Sequence, residues 1–109
     1  MSDIEMTPEV LELVAARFKA LSEPTRLSIL SALREAEHTV SELVEVTGHG
    51  QANVSKHLQL LHDLRFVVRR REGLYTIYSL ADETVFALCD LMCGRLEREI
   101  EERRALIAG

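Results

Sequence analysis

The stretch Gln51-Ala-Asn-Val-Ser-Lys-His-Leu-Gln-Leu-Leu61 sorts polar and apolar side chains onto opposite faces of one helix. Val54, Leu58, Leu61 and Leu64 recur at helical spacing, so that face demands burial. Gln51, Asn53, Ser55, Lys56 and Gln59 lie off the stripe, and such side chains hydrogen-bond base edges or phosphates. His57 offers an imidazole for packing or for a phosphate. Downstream, Arg69, Arg70 and Arg71 lie on a β-rich run that turns at Glu72-Gly73 into a second run ending at Leu80. A guanidinium is always charged, and its fork fits phosphate oxygens. A polar-faced helix followed by a basic hairpin is the plan of a winged helix-turn-helix DNA reader.

A second kind of chemistry sits nearer the C-terminus. Cys89 and Cys93 are four residues apart and share one face of a helix. At 100° per residue, Val85, Cys89, Met92, Leu96, Ile100 and Ile107 cluster in one apolar arc, with Cys93 near its edge. If that arc is a seam between two copies, four thiols meet across it. Thiolates hold zinc, copper(I) or arsenite-like metalloids, and they can be oxidised or persulfidated. A disulfide within one intact helix is geometrically poor, so a link across two copies, a persulfide bridge or a bound metalloid fits better. Arg95 is a basic neighbour that favours the thiolate, and Asp90 opposes it. The plainer reading is that a free cysteine packs as a small hydrophobe. Both readings stay open.

The elements that position these groups announce their ends. Thr7-Pro8 supplies a cap and a first-turn proline, and Leu11, Val14, Ala15, Phe18 and Leu21 stripe the helix that follows. Ser22-Glu-Pro-Thr25 restarts the chain, with Leu27, Ile29, Leu30 and Leu33 marking a second helix to about Ala36. Thr39 and Glu42 have capping-box spacing for a short third helix that ends at Gly48. The recognition helix is expected from about Gln51 to Leu64, wing strands at about 66–71 and 74–80, and a long last helix from about Asp82 to Leu106. The fold class is mainly α with a small β-hairpin wing, and residues 1–109 read as one domain, with the helix-turn-helix at about 39–64.

Composition agrees once charge is divided along the chain. The net charge of −5 hides a basic island. Residues 1–50 hold nine acids and four bases, residues 51–71 five bases and one acid, and residues 72–109 eight acids and four bases. Phosphate binding follows local potential, so a basic segment on an acidic body suits a DNA face. No apolar run reaches the length of a membrane span, and no export signal is visible. Two cysteines without such a signal point to a reducing cytoplasm and free thiols. At 109 residues the core is modest, which makes a partner subunit natural.

Ala20-Leu-Ser-Glu-Pro-Thr-Arg-Leu-Ser-Ile-Leu30, the Ser-Lys-His-Leu segment at 55–58, and Arg70-Arg-Glu-Gly73 leading to Tyr78-Ser-Leu80 together resemble the ArsR/SmtB family. The resemblance implies a homodimeric repressor that joins through its first and last helices and leaves operator DNA when an inducer binds. It places Gln51, Asn53, Ser55, Lys56 and His57 at the DNA, with the wing arginines on flanking phosphate or minor groove. One departure stands out: where the family has glycine after the recognition helix, this chain has Arg65. In a left-handed cap, arginine is strained by roughly 1 kcal/mol relative to glycine, so either the turn differs here or the cost is tolerated.

Two signals usual in the family are missing. No histidine follows His62 to build its aspartate–histidine–glutamate zinc site, and Glu42–Gly48 carries no thiol. His57 and His62 lie about 140° apart on a helix and cannot chelate together, while His38 and His49 are expected in exposed turns. No cofactor is required. An enzyme is not expected, since no phosphate loop or nucleophile elbow is present. The expected partner is an imperfect palindrome of double-stranded DNA. The alternatives are a winged-helix dimerisation or adaptor module, or a constitutive DNA binder with structural cysteines.

Overall fold

The computed structural model describes residues 4–108. Helix α1 runs Pro8–Leu21, α2 Pro24–Glu35, α3 Val40–Thr47, α4 Gln51–Asp63 and α5 Thr84–Ala108. Strand β1 is His38–Thr39, β2 is Val67–Glu72 and β3 is Tyr75–Leu80. None of these helices is long and apolar enough to cross a membrane.

Caps fix the helix starts. Thr7 Oγ1 accepts from the Val10 amide at 3.3 Å, and Pro8 follows at the position where a missing N–H costs nothing. Glu23 caps α2 by accepting from the Arg26 amide at 3.2 Å, again with a proline next. Thr39 and Glu42 complete the capping box: the Thr39 amide donates to Glu42 Oε1 at 2.8 Å and the Glu42 amide to Thr39 Oγ1 at 3.2 Å.

The end of α4 uses an unusual residue. The Arg65 amide donates to the His62 carbonyl at 3.0 Å and the Phe66 amide to the Leu61 carbonyl at 2.9 Å. This is the Schellman pattern, which needs a left-handed residue after the helix. Arg65 fills that place at φ 65°, the one described non-glycine residue with positive φ. Of the two outcomes that the sequence left open, the turn does not differ: arginine sits in the left-handed place and its cost is tolerated.

The core gathers one face of each central element. Ile29, Leu30 and Leu33 of α2 meet Leu43 of α3, Val54, Leu58 and Leu61 of α4, Val67 of β2 and Tyr78 of β3. Val85 and Phe86 of α5 close it. Val85 thus belongs to the chain's own core rather than to the open apolar arc in which its spacing placed it.

The sheet is antiparallel in the order β1-β3-β2. Arg69 faces Tyr78 and Arg70 faces Ile77 across the wing, whose two-residue turn has Gly73 at φ 61°. Strand β1 has no counterpart in the sequence reading. It exists through pairing of His38 with Tyr78 and Thr39 with Ile77, so His38 is a half-buried strand residue rather than part of an exposed turn. His49 is likewise half-buried.

Two apolar faces remain uncovered in the single chain. Leu11, Leu13 and Phe18 of α1 are each more than half exposed, as are Leu91 and Met92 of α5. Leu27, expected in the core stripe of α2, also reaches the surface beside them.

Candidate nucleic-acid interface and cysteine groove

Helix α4 is anchored by Val54, Leu58 and Leu61, all fully buried. Its 3.6-residue period then forces Gln51, Asn53, Ser55 and Lys56 to the surface, where all four are exposed. Among the described residues, none of these four side chains is hydrogen-bonded or ion-paired within the chain. They present unspent donors and acceptors on one face. Gly50 caps the helix without a side-chain hydrogen bond, which leaves the first-turn amides facing outward as well.

The three wing arginines part company because a strand alternates. Arg69 donates to Gln59 Oε1 at 3.2 Å, and Gln59 donates to Asp63 at 2.8 Å, which places Arg69 beside the exposed face of α4. Arg71 bends to the Gly73 carbonyl at 3.3 Å near the hairpin tip. Arg70 lies on the other face of the strand. It makes a two-pronged pair with Glu37 at 2.7 and 2.7 Å and reaches Glu72 at 3.1 Å. Hydrogen bonding to Glu37 and then Glu72 holds the Arg70 guanidinium even more firmly charged, and Arg70 holds the Glu37 carboxyl below its ordinary range. The run of three cations therefore offers two to the α4 side, with the third committed to Glu37 and Glu72.

His57 is placed differently from its neighbours. Its side chain is only 12% exposed, and it faces the start of α2 rather than solvent. Arg26 Nη1 lies 3.1 Å from Nδ1, and Glu23 Oε2 lies 3.6 Å from Nε2. Burial pushes the imidazole pKa below its ordinary value, with Glu23 acting against that. Glu23 and Arg26 went unnoticed as site residues because they lie some thirty positions away. Their only sequence signal was the Glu-Pro-Thr-Arg segment at 23–26.

Cys89 and Cys93 line one apolar groove with Phe18, Leu27, Leu88 and Met92. Both are free thiols, Cys89 half-buried and Cys93 exposed. Burial pushes the Cys89 thiol up, Cys93 and Asp90 add to that, and Arg34 opposes it. The nearby cation is thus Arg34 of α2 rather than Arg95, which pairs with Glu99 at 3.2 Å. Arg34 also reaches Asp90 at 3.4 Å and Glu83 at 3.6 Å and stacks 4.3 Å from the Phe86 ring centre. It fastens α5 to α2. Two thiols one turn apart suit a thiophilic ion chemically. Among the described residues, no three His, Cys, Asp or Glu side chains converge as a metal site.

The sequence and the fold both have known relatives. Residues 23–68, from the start of α2 into β2, match the family described as "Bacterial regulatory protein, arsR family". The "Probable mercury resistance operon repressor" of Streptomyces lividans is 43% identical over 68 residues. That match covers 62% of this chain but only 54% of that relative. The arsenical resistance operon repressor of Bacillus subtilis (strain 168) is 33% identical over 85 residues, covering 77% of this chain and 81% of its own length. Among solved structures, the homodimeric winged helix-turn-helix DNA-binding domain of Mb0332 from Mycobacterium bovis superposes with a TM-score of 0.77 at 31% identity. That match covers 94% of this chain and 95% of the other. With its helix order, its hairpin wing and these matches in agreement, the chain belongs to the arsR family of bacterial regulatory proteins.

Proposed function

We propose that this chain is a homodimeric transcriptional repressor whose α4 enters the major groove of an imperfect palindrome, half-sites about one DNA turn apart. The observation that carries this is the exposed side of α4, where Gln51, Asn53, Ser55 and Lys56 have no hydrogen-bond or ion-pair partner among the described residues and Arg69 stands beside them. Gln51, Asn53 and Ser55 read base edges, and Lys56 holds a phosphate. Arg69 and Arg71 take flanking phosphate or the minor groove, while Arg70 stays on Glu37. The open apolar faces of α1 and α5 support a two-fold seam. The homodimeric relative supports it too.

The inducer is a thiol-directed signal at Cys89 and Cys93: a soft metal, a metalloid, a persulfide donor that transfers its sulfane sulfur to a thiol, or an oxidant that takes two electrons to leave a cross-subunit disulfide. Relatives named for mercury and arsenical resistance support that class. In a dimer the two grooves adjoin, and each chain contributes two thiols. One observation favours a second reading, a constitutive DNA binder: the burial that raises the Cys89 pKa also makes it a poorer nucleophile.

Fluorescence anisotropy on a duplex from the DNA upstream of the chain's own gene separates the two. The titration is run reduced, with arsenite, and with a persulfide donor, for wild type and Cys89→Ser/Cys93→Ser. Release by one reagent in wild type alone supports the sensor. Binding that ignores every reagent leaves a constitutive binder, and no binding at all sinks the repressor.

A further inference from the structure

The elbow between α1 and α2 meets α4 at one polar cluster that the DNA-facing side chains do not use. Arg26 is its hub. Its Nε donates to the Ala20 carbonyl at 2.6 Å and its Nη2 to the Lys19 carbonyl at 3.3 Å, both at the end of α1. Its Nη1 lies 3.1 Å from His57 Nδ1 on α4. A guanidinium has no acceptor, so Nδ1 must accept. The ring is then neutral, with its proton on Nε2, which points toward Glu23 Oε2 at 3.6 Å. Glu23 is tied in turn to the Arg26 amide. One arginine thus joins the last turn of α1, the first turn of α2 and the middle of α4.

We infer that Arg26 and His57 are positioning residues that set the angle of α4 against the α1–α2 elbow, with His57 serving DNA binding as a neutral acceptor and not as a phosphate ligand. The inference rests on the DNA-binding reading of α4. It gives His57 a role opposite in sign to the one expected from its place in the sequence.

Protonation of His57 converts Nδ1 into a donor that faces the Arg26 guanidinium. The groups around the ring are Glu23 and Arg26 from α2, Lys56 on its own helix and His49 from the α3–α4 turn. One acid is set against two cations and a second histidine. Burial first, and then these cations, favour the neutral ring over Glu23's pull. Above an ordinary histidine pKa of about 6.5 the ring is neutral whether the cluster is made or broken, so pH has no leverage. As pH falls below that value, the broken cluster takes up a proton that the intact one excludes, so the intact arrangement loses ground. A phosphate ligand would behave the other way, because the imidazolium would bind DNA more tightly.

The test is anisotropy on the same upstream duplex from pH 7.5 to 5.5 at fixed ionic strength. Wild type, His57→Asn, His57→Ala and Arg26→Gln are compared, with circular dichroism confirming that each is folded. Wild-type affinity should fall below about pH 6.5, by at most tenfold per pH unit for each His57. Asparagine keeps an acceptor near Nδ1, so His57→Asn should bind within about threefold of wild type at pH 7.5 and lose the acid dependence. His57→Ala and Arg26→Gln should bind about tenfold more weakly, the order expected for losing a hydrogen bond to a charged group, with an unchanged salt slope.

Wild-type affinity that rises on acidification overturns the inference alone. So does acid dependence that survives in His57→Asn, or a salt slope flattened by about 0.9 per chain in His57→Ala. Wild type that binds no DNA at any pH overturns the DNA-binding reading and this inference together. If His57→Ala does not fold, the wild-type profile and His57→Asn decide.

Discussion

Arg65→Gly should stabilise the protein, although it deletes a large side chain. Arg65 occupies the left-handed region at φ 65°, and the Schellman hydrogen bonds to His62 and Leu61 hold it there. A side chain in that conformation costs about 1–2 kcal/mol. Glycine relieves the cost but frees the unfolded chain, which returns roughly 0.4–1 kcal/mol. The Arg65 side chain makes no hydrogen bond or ion pair among the described residues, so little else is lost. The net gain is about 0.5–1 kcal/mol. With an unfolding entropy of roughly 2.1 cal/mol/K per residue, that raises Tm by about 2–4 °C in a chain of 109 residues. Thermal melting followed by circular dichroism reads this, at equal protomer concentration because the proposed dimer would make Tm concentration-dependent. Arg65→Val, β-branched and still left-handed, should melt below wild type. A Tm that falls in Arg65→Gly as far as it does in Arg65→Val would refute the reasoning and show that the arginine side chain does the stabilising.

Other expectations follow from the same geometry. Leu58 is fully buried at the centre of the core, so Leu58→Ala should cost about 2–5 kcal/mol in urea unfolding, and a loss under 1 kcal/mol would contradict the packing described. Arg69→Ala should flatten the salt dependence of DNA binding by roughly 0.9 per chain, while Arg70→Ala, already neutralised by Glu37 and Glu72, should leave it nearly unchanged. Equal effects from the two would mean that strand alternation does not divide the wing. Glu37→Gln should leave Arg70 paired with Glu72 alone and modestly steepen the same slope, and a flattened slope would contradict that pairing.

The sequence was most legible where the signal was local. Thr7-Pro8, Glu23-Pro24 and the Thr39–Glu42 box each state a helix start within a few residues, and the observed starts follow them. The buried stripe of α4 was readable because Val54, Leu58 and Leu61 repeat at the helical period. Long-range partnerships were not. Strand β1 is two residues long and exists through pairing with β3, about forty positions later. Arg70 read as one of three equivalent cations because nothing local marks Glu37 as its partner. His57 read as a group for packing or for a phosphate, and its partners were hidden for the same reason: Arg26 and Glu23 come from another part of the chain. Val85 shows the limit of a wheel, which groups residues by angle without knowing which turn meets the chain's own core. The assignment of bases, operator and inducer stays with proposal and experiment, since those partners lie outside the chain.

The central claim is that the exposed face of α4 holds DNA, and the salt dependence of binding tests it most directly. Anisotropy titrations across a range of salt concentrations would compare wild type with Lys56→Ala and Gln51→Ala on the upstream duplex and on single-base variants of it. Wild-type binding should weaken steeply as salt rises. Lys56→Ala should weaken it on every sequence and flatten the slope of log affinity against log salt by about 0.9 per chain, so about 1.8 for the dimer. Gln51→Ala should keep the slope and relax the preference at one base position. Wild-type binding that ignores salt, or two variants that bind every duplex as wild type does, would contradict the assigned face.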